Sequence, residues 1–268
     1  GHELLAVALK ASGDAAGALV GFEAAMARGS KEFQPYFEVA HAAHKATRDE
    51  RRQMTPAEAR AIANQYERAI GLYPRHLASY ENLAGLIGIA DAVGEEDRKT
   101  LELGRRLFPE SIVIEIGLAQ LARRGGDAAG GWSLLERVLA SRPGASAEGF
   151  EFARRLKDAW EHDDLVRRVD ELGRAGRFAE AIALLDQKLE AGSDRATRQR
   201  LVPVREQLQA GLLSQQVKTA LDERRWAAAR EALGRLLESS APPAMKSQAR
   251  RTLAELDERK LGIAPVKP

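Results

Sequence analysis

The chain has 268 residues, of which 44% are hydrophobic and 30% charged, a composition that excludes an intrinsically disordered protein. Its 41 basic and 39 acidic residues leave a net charge of +2, so no global field attracts the chain to nucleic acid or an anionic membrane. The absence of cysteine excludes disulfides and thiolate chemistry. The sequence contains no apolar run of about 18 residues, so no transmembrane helix is predicted.

Alanine and leucine dominate the hydrophobic residues, which favours close helix packing and predicts an all-α protein. Three prolines, Pro74, Pro109 and Pro143, stand 35 and 34 residues apart, and each closes an apolar helical segment. A fixed period of this size indicates one helix pair that is repeated and stacked. Stacked helix pairs form long surfaces that hold other molecules, and they seldom carry chemistry of their own.

Two predicted repeats precede Pro74. The first covers residues 4–30, and Gly13-Asp14 separates its two helices. The second opens after Pro35, and the polar stretch Thr47–Met54 interrupts its helical pattern. Thr55-Pro56-Ala57-Glu58 then restarts the pattern as a capping box with proline at the first helical position. The interruption adds about ten residues between the helices of this repeat.

Two further repeats follow, and all four share a pattern. The third covers residues 77–109 with its turn at Val93-Gly94, and the fourth covers residues 112–143 with its turn at Gly125-Gly126. The matching residues are Gly13, Ala18, Phe22 and Ala25, then Tyr66, Ala69 and Pro74, then Tyr80, Leu83, Ala84 and Pro109, then Leu118, Ala119, Gly126 and Pro143. This pattern resembles the tetratricopeptide repeat, a 34-residue helix–turn–helix unit. Gly131 and Glu115 depart from it, at a small and an aromatic position respectively.

After residue 145 the period changes from 34 to 48 residues. Phe178, Ala181, Leu185, Leu189 and Leu208 recur as Trp226, Ala229, Leu233, Leu237 and Leu256. We expect each copy to hold a helix pair and a further helix, over residues 194–209 and 244–258. Pro203 is expected to kink or restart the first of these. Residues 146–161 are predicted to form a bridging helix, and residues 263–268 a loose tail.

The resemblance implies a right-handed superhelical α-solenoid of helix–turn–helix repeats. Residues 1–145 would hold four repeats, the second with an insertion. Residues 146–268 would hold the bridging helix and two divergent repeats of about 48 residues. Gly1-His2 looks like a remnant of recombinant expression, so we expect the natural protein to begin further upstream.

In the family that the chain resembles, the first helices of the repeats line a concave face that binds peptides. The positions carried over are Phe37, His41, His44 and Lys45 in the second repeat, Glu81, Asn82, Gly85 and Ile89 in the third, and Ile116, Gln120, Arg123 and Arg124 in the fourth. Asn82 matches an asparagine that hydrogen-bonds the main chain of a peptide. The equivalent positions hold Gly117 and Glu38, so a complete carboxylate clamp is not expected.

Other polar clusters have simpler explanations. His41 and His44 could offer two imidazoles to a metal, but ordinary polar contacts on a helix face are the preferred interpretation, and no metal or cofactor is predicted. His162-Asp163-Asp164 is interpreted as a helix N-terminus with an aspartate cap. Pairs such as Arg123-Arg124 are interpreted as solvated helix faces, and the excess of arginine as the mark of a GC-rich bacterial genome.

The function predicted is a scaffold that binds a protein or a peptide on the concave face, and the chain is not expected to be an enzyme. The alternative is a docking arm of a larger protein whose catalytic domain lies outside these residues. Self-association through the ends of the array or near Trp160 is a third hypothesis. Neither nucleic acid nor a membrane-spanning segment is expected, and the compartment, cytoplasmic or periplasmic, is left open.

Overall fold

The computed structural model describes residues 1–50, 52–140, 147–192 and 195–259. Within these ranges it contains thirteen α-helices and no strand, which confirms the all-α prediction. Pro143 and the tail 263–268 lie outside the described residues. The helices are α1 (His2–Ala11), α2 (Ala15–Ala27), α3 (Phe33–Asp49), α4 (Pro56–Leu72), α5 (Leu77–Ile87), α6 (Glu95–Leu107), α7 (Ile112–Arg124), α8 (Ala128–Ala140), α9 (Ala147–Arg174), α10 (Phe178–Glu190), α11 (Arg195–Asp222), α12 (Trp226–Glu238) and α13 (Pro243–Glu258).

The chain forms two compact units, unit 1 over Gly1–Lys157 and unit 2 over Asp158–Pro268. In unit 1 each odd-numbered helix from α1 to α7 packs against the helix that follows it. In addition, α2 packs on α3, α4 on α5 and α5 on α7, so successive pairs are stacked. This arrangement confirms the predicted helix–turn–helix repeat. The division of the chain at residue 145 into four repeats and a second array stays a prediction.

The capping box that starts α4 is confirmed. The Thr55 hydroxyl accepts the Glu58 N–H, and the Glu58 carboxylate accepts the Thr55 N–H at 2.8 Å. Hydrogen bonds from Arg52 and from Thr55 lower the pKa of Glu58 to about 2. The predicted interruption begins too early, however, because α3 continues to Asp49. Buried Thr47 belongs to the face that packs inward, so about one extra turn of α3 absorbs part of the insertion.

Small residues occupy the positions where helices of unit 1 approach most closely. A Cβ on Gly104 of α6 would lie 2.5 Å from the Tyr80 ring, and one on Gly117 of α7 would lie 2.6 Å from the Ala84 Cβ. Gly131, a departure from the family pattern, faces the carbonyl oxygen of Ala119, which a Cβ would approach to 2.9 Å. The glycine is therefore required by the close packing of α8 on α7.

Unit 2 follows a different rule from unit 1, because its long helix α11 serves two helix pairs. Helices α9 and α11 each have 28 residues, whereas α10 and α12 have 13. Residues 147, 195 and 243 begin α9, α11 and α13, so these helices start at intervals of 48 residues. Two predicted boundaries are wrong, since the bridging helix does not end at residue 161 and the further helix does not end at residue 209. In each case the helix runs on and becomes the first helix of the next pair.

Pro203 lies inside α11 without restarting it, so of the two predicted outcomes the restart is wrong. Its ring is exposed, so the carbonyl that loses its hydrogen bond lies on the solvent side of the helix, where water can replace the bond. On the other side, Leu201 and Leu208 are buried in a core shared with α9 and α10. This burial keeps the helix continuous across the proline.

The two turns that open α10 and α12 have the same hydrogen bonds but different residues. Arg177 N–H donates to the Leu172 carbonyl across Gly176, and Arg225 N–H donates to the Ala220 carbonyl across Arg224. The φ angle is +72° at Gly176 and +55° at Arg224. A left-handed residue in this turn is normally glycine, so Arg224 holds a conformation that is unfavourable for its side chain.

Gly104→Ala is expected to lower the free energy of unfolding by about 1 to 2 kcal/mol, because overpacking against Tyr80 outweighs the gain in helix propensity. Gly85→Ala is the matched control, since nothing lies within 4 Å of its Cβ position. That change is expected to raise the free energy of unfolding by roughly 0.5 to 1 kcal/mol. Urea unfolding followed by circular dichroism measures both. Equal effects of the two substitutions would contradict the packing argument.

Arg224→Gly is expected to stabilise unit 2 by up to about 1 kcal/mol, because glycine adopts the left-handed conformation without a steric penalty. The reciprocal change, Gly176→Arg, is expected to destabilise the chain by about 1 kcal/mol. Thermal unfolding of both variants provides the comparison. A lower midpoint for Arg224→Gly would show that the arginine side chain, and not the turn, determines stability at this position.

Candidate functional site

The residues predicted on α3 form an aromatic and basic surface. Phe37 is half-buried, and its ring centroid lies 5.6 Å from that of His41 and 4.5 Å from that of His76 at the start of α5. His41 and Lys45 are exposed, and His44 is half-buried. Phe37 thus packs against His41 on α3 and against His76 at the start of α5, while the imidazole of His41 stays accessible.

On α5, Asn82 is engaged within the protein. Its Nδ2 donates to the Ala78 carbonyl at 2.7 Å, and its side chain also hydrogen-bonds His44. Asn82 therefore ties α5 to α3, a role that the sequence did not predict. Glu81 accepts a hydrogen bond from Ser111 Oγ at 2.8 Å, which connects α5 to the start of α7. Gly85 faces open space.

Two of the four candidates on α7 are taken up by the interior or by backbone contacts. Ile116 is 2% exposed, so the prediction that its side chain contacts a ligand is wrong. Arg124 donates to the carbonyl oxygens of Ile87 and Ala90, and so satisfies the C-terminal end of α5. It is a structural residue rather than an open ligand contact.

The remaining two candidates on α7 are only partly accessible. The Gln120 side chain lies over Gly88, with its amide nitrogen 2.5 Å from the position of a Gly88 Cβ. Its Oε1 is buried and accepts no hydrogen bond in the structure. The Arg123 guanidinium lies 5.9 Å from the Trp132 ring centroid, a cation–π contact. Neither residue presents its full polar group to solvent.

The candidates on α3 and α5 form the more open part of the predicted site, and we name it the α3–α5 face. Its members are His41, His44, Lys45 and Arg48 on α3 and Asn82, Gly85 and Ile89 on and just after α5. Ile89 is 44% exposed, a large fraction for an isoleucine. Sequence reasoning missed Arg48, although its spacing of seven from His41 and three from Lys45 places it on the same side of the helix.

The charges on α3 affect one another. The pKa of His44 lies below its usual value, first because burial disfavours the imidazolium and then because Arg48 and His41 are positively charged neighbours. The hydrogen bond with Asn82 acts in the opposite direction. The basic groups of the α3–α5 face are thus close enough to repel one another.

No cluster of three or more histidine, aspartate, glutamate or cysteine side chains suited to a metal occurs among the described residues. The interpretation of His162-Asp163-Asp164 as a helix N-terminus is wrong, because these residues lie in the middle of α9. Asp164 pairs there with Arg167 at 3.0 Å. Within the described ranges, no helix is long and apolar enough to cross a membrane.

Trp160, proposed as a centre of self-association, is 6% exposed and belongs to the interior. Unit 2 instead presents shallow cavities between its helices. One of about 430 Å³ is lined by Val169, Phe178, Leu208 and Met245, among others, and a polar one of about 600 Å³ by residues that include Asp158, His162, Lys188 and Arg200. No sequence pattern had pointed to either cavity.

A second group with shifted pKa values is structural. Arg60 of α4 lies between two carboxylates, with Nη1 2.6 Å from Asp97 Oδ1 and Nη2 2.9 Å from Glu67 Oε1. Burial raises the pKa of Glu67. Burial acts in the same direction on Asp97, but hydrogen bonds from Arg60 and the Gly94 N–H outweigh it and lower the pKa of Asp97. Because Asp97 also caps α6 through Gly94, this cluster fixes α6 on α4.

Asp97→Asn is expected to lower the free energy of unfolding at pH 7 by about 3 kcal/mol, since it breaks a buried ion pair. The contribution of Asp97 to the free energy of unfolding is fully present above its usual pKa of 3.8. This contribution is lost as the pH falls through the lower pKa that Asp97 has in the folded chain. Urea unfolding from pH 7 to 3 should therefore show the variant and the unchanged chain converging in acid. Glu96→Gln, an exposed change in the same turn, is the control and should cost less than about 0.5 kcal/mol.

Comparison with known proteins adds little to this description. No family profile matches the chain, and no curated protein matches it. Among solved structures, the chain is similar to the tetratricopeptide-repeat domain of P58(IPK), a crystal structure at 2.5 Å. The identity is 12%, the match covers 97% of this chain and 98% of that chain, and the TM-score is 0.27. At this TM-score the likeness supports no argument, so the account of the chain rests on its own helices and side chains.

Proposed function

We propose that this chain is a protein-interaction scaffold and that the α3–α5 face of unit 1 binds a peptide segment of a partner. The observation that carries the proposal is the contrast within unit 1 between this face and α7. Gly85 and Ile89 are open to solvent, whereas Ile116 and Arg124 are taken up by contacts within the protein. An extended segment therefore has room over α5.

The chemistry of the face suits a peptide. Ile89 offers an apolar contact, and the exposed imidazole of His41 and ammonium of Lys45 offer hydrogen-bond donors. Asn82 is already bonded to Ala78 and His44, so its expected contact with a peptide main chain requires an exchange of partners. We therefore assign Asn82 a positioning role, in which it holds α3 and α5 at a fixed separation.

The prediction that the chain is not an enzyme stays a prediction. The shifted carboxylates, Glu67 and Asp97, are held by Arg60 and by the α6 cap. This environment accounts for their pKa values without a catalytic role.

Gly85→Trp is expected to abolish peptide binding, because an indole placed in the open space over α5 would occupy the site. Gly71→Trp is the matched control, since Gly71 is also an exposed helical glycine with nothing within 4 Å, but it lies on α4. The probe is a phage-displayed library of random peptides selected on the unchanged chain. Most selected peptides should lose binding to Gly85→Trp by at least about tenfold, or 1.4 kcal/mol, and bind Gly71→Trp normally.

Circular dichroism and thermal unfolding check that both variants are folded. If the library yields no binders, or if the binders fail to distinguish Gly85→Trp from Gly71→Trp, the α3–α5 face is not the binding site.

A further inference from the structure

We propose that the partner segment of the α3–α5 face is acidic, and that its aspartate and glutamate side chains pair with His41, Lys45 and Arg48 of α3. This inference rests on the proposed function and adds the chemistry of the partner. It concerns side-chain carboxylates in the interior of a segment, and not the carboxylate at a chain terminus.

The first argument is that the basic groups of α3 share one helix face. His41, Lys45 and Arg48 are separated by four and three residues, the spacing that aligns side chains along a helix. All three are exposed. The side chain of Glu38, on one flank, contacts Lys10 of α1, and that of His44, on the other, contacts Asn82 of α5. The three exposed side chains thus lie between the neighbouring helices and are accessible from solvent.

The second argument is that these groups lack acidic partners. In the part of the chain that the structure describes, no carboxylate forms an ion pair with His41, Lys45 or Arg48. Two of the acids nearest in sequence are engaged elsewhere, since Glu38 pairs with Lys10 and Glu50 pairs with Arg52. Asp49 lies one turn after Lys45 on the helix, but it forms no ion pair with Lys45 in the structure.

Part of the remaining surface is arranged differently. Several exposed basic side chains in both units pair with acids three residues away, as in Lys99–Glu96 at 2.7 Å, Arg154–Glu151 at 3.2 Å and Arg168–Glu171 at 3.3 Å. The α3 face instead brings like charges together, and His41 and Arg48 both disfavour the protonated form of His44. An anionic ligand would remove this repulsion, whereas a cationic or neutral one would leave it in place.

The size and setting of the basic cluster favour a peptide over nucleic acid. The cluster extends over two turns of one helix, and the exposed Ile89, just after α5, is apolar. Nucleic-acid binding uses many phosphate contacts along an extended basic surface, whereas the net charge of this chain is +2. A segment with a few acidic residues next to an apolar one matches the face better.

The experiment uses the peptides selected on the full chain. Fusion to the phage coat protein removes the free C-terminus, so only side-chain carboxylates can contribute negative charge. We expect peptides that lose binding to Gly85→Trp to be enriched in aspartate and glutamate relative to the unselected library. Their affinity should fall as salt is raised, because the screening length shortens from about 8 Å at physiological ionic strength to about 3 Å at 1 M.

The decisive variant is the double charge reversal Lys45→Glu with Arg48→Glu. It should weaken a synthetic selected peptide by at least about tenfold in fluorescence anisotropy, since two attractive pairs become repulsive. The matched control is Arg28→Glu with Lys31→Glu, which alters the net charge equally at two exposed positions before α3. Lys31 lies roughly 20 Å from Lys45 along the helix direction, at about 1.5 Å per residue. This control should bind normally.

The outcomes separate the two proposals. Peptides that require an open Gly85 but show no acidic enrichment and tolerate the Lys45 and Arg48 reversal would overturn the acidic partner and leave the proposed function intact. A failure to obtain any peptide sensitive to Gly85→Trp would instead contradict the proposed function. A single-stranded oligonucleotide that binds as tightly as the selected peptides, and with the same sensitivity to the reversal, would also overturn the inference.

Discussion

Glycine and alanine at the helix crossings set the geometry of unit 1. Tyr80 packs on Gly104, and Gly117 packs on Ala84, at distances that leave no room for a Cβ. Because the backbones approach so closely there, the large buried residues of α4 to α7 form one continuous core that includes Tyr66, Tyr80 and Leu101. The stacking of one helix pair on the next thus depends on a few glycines and alanines.

The same close packing determines which part of the surface is open. Where α7 lies tightly on α5, its side chains are used within the protein, as Arg124 is at the end of α5. Between α3 and α5 the link is made by polar and aromatic side chains, namely Asn82 with His44 and Phe37 with His76. This looser connection leaves His41, Lys45 and Gly85 accessible. The location of the candidate site is therefore a consequence of how the repeats pack.

The helix pairs of unit 1 could be predicted because glycine turns, the Thr55 capping box and Pro74 and Pro109 are local signals. The long helices of unit 2 could not. His162-Asp163-Asp164 and Pro203 have the local features of helix boundaries, but burial of Trp160, Val169 and Leu201 keeps α9 and α11 continuous. Tertiary burial outweighed local preference in both cases.

For the candidate site, the family positions named residues on α3 and α5 that the structure leaves at least partly accessible, but they did not predict the state of each side chain. Whether Ile116 is exposed, or whether Arg124 is already bonded, depends on neighbours that are distant in sequence. Arg48 lies in the part of α3 that the insertion lengthens, beyond the positions that the repeat pattern covers. A search for helical spacing among basic residues would have identified it.

Helix α11 has a consequence for how unit 2 unfolds. Its N-terminal half contributes Leu201 and Leu208 to the core with α9 and α10, and its C-terminal half contributes Leu213 and Val217 to the core with α12 and α13. In a simple repeat array each unit has its own free energy and is coupled to its neighbours only through an interface. Here the coupling is a continuous backbone, so loss of either core removes the ordered end from which the other half of α11 propagates. Unit 2 should consequently melt as one cooperative block, without stable intermediates made of a single repeat.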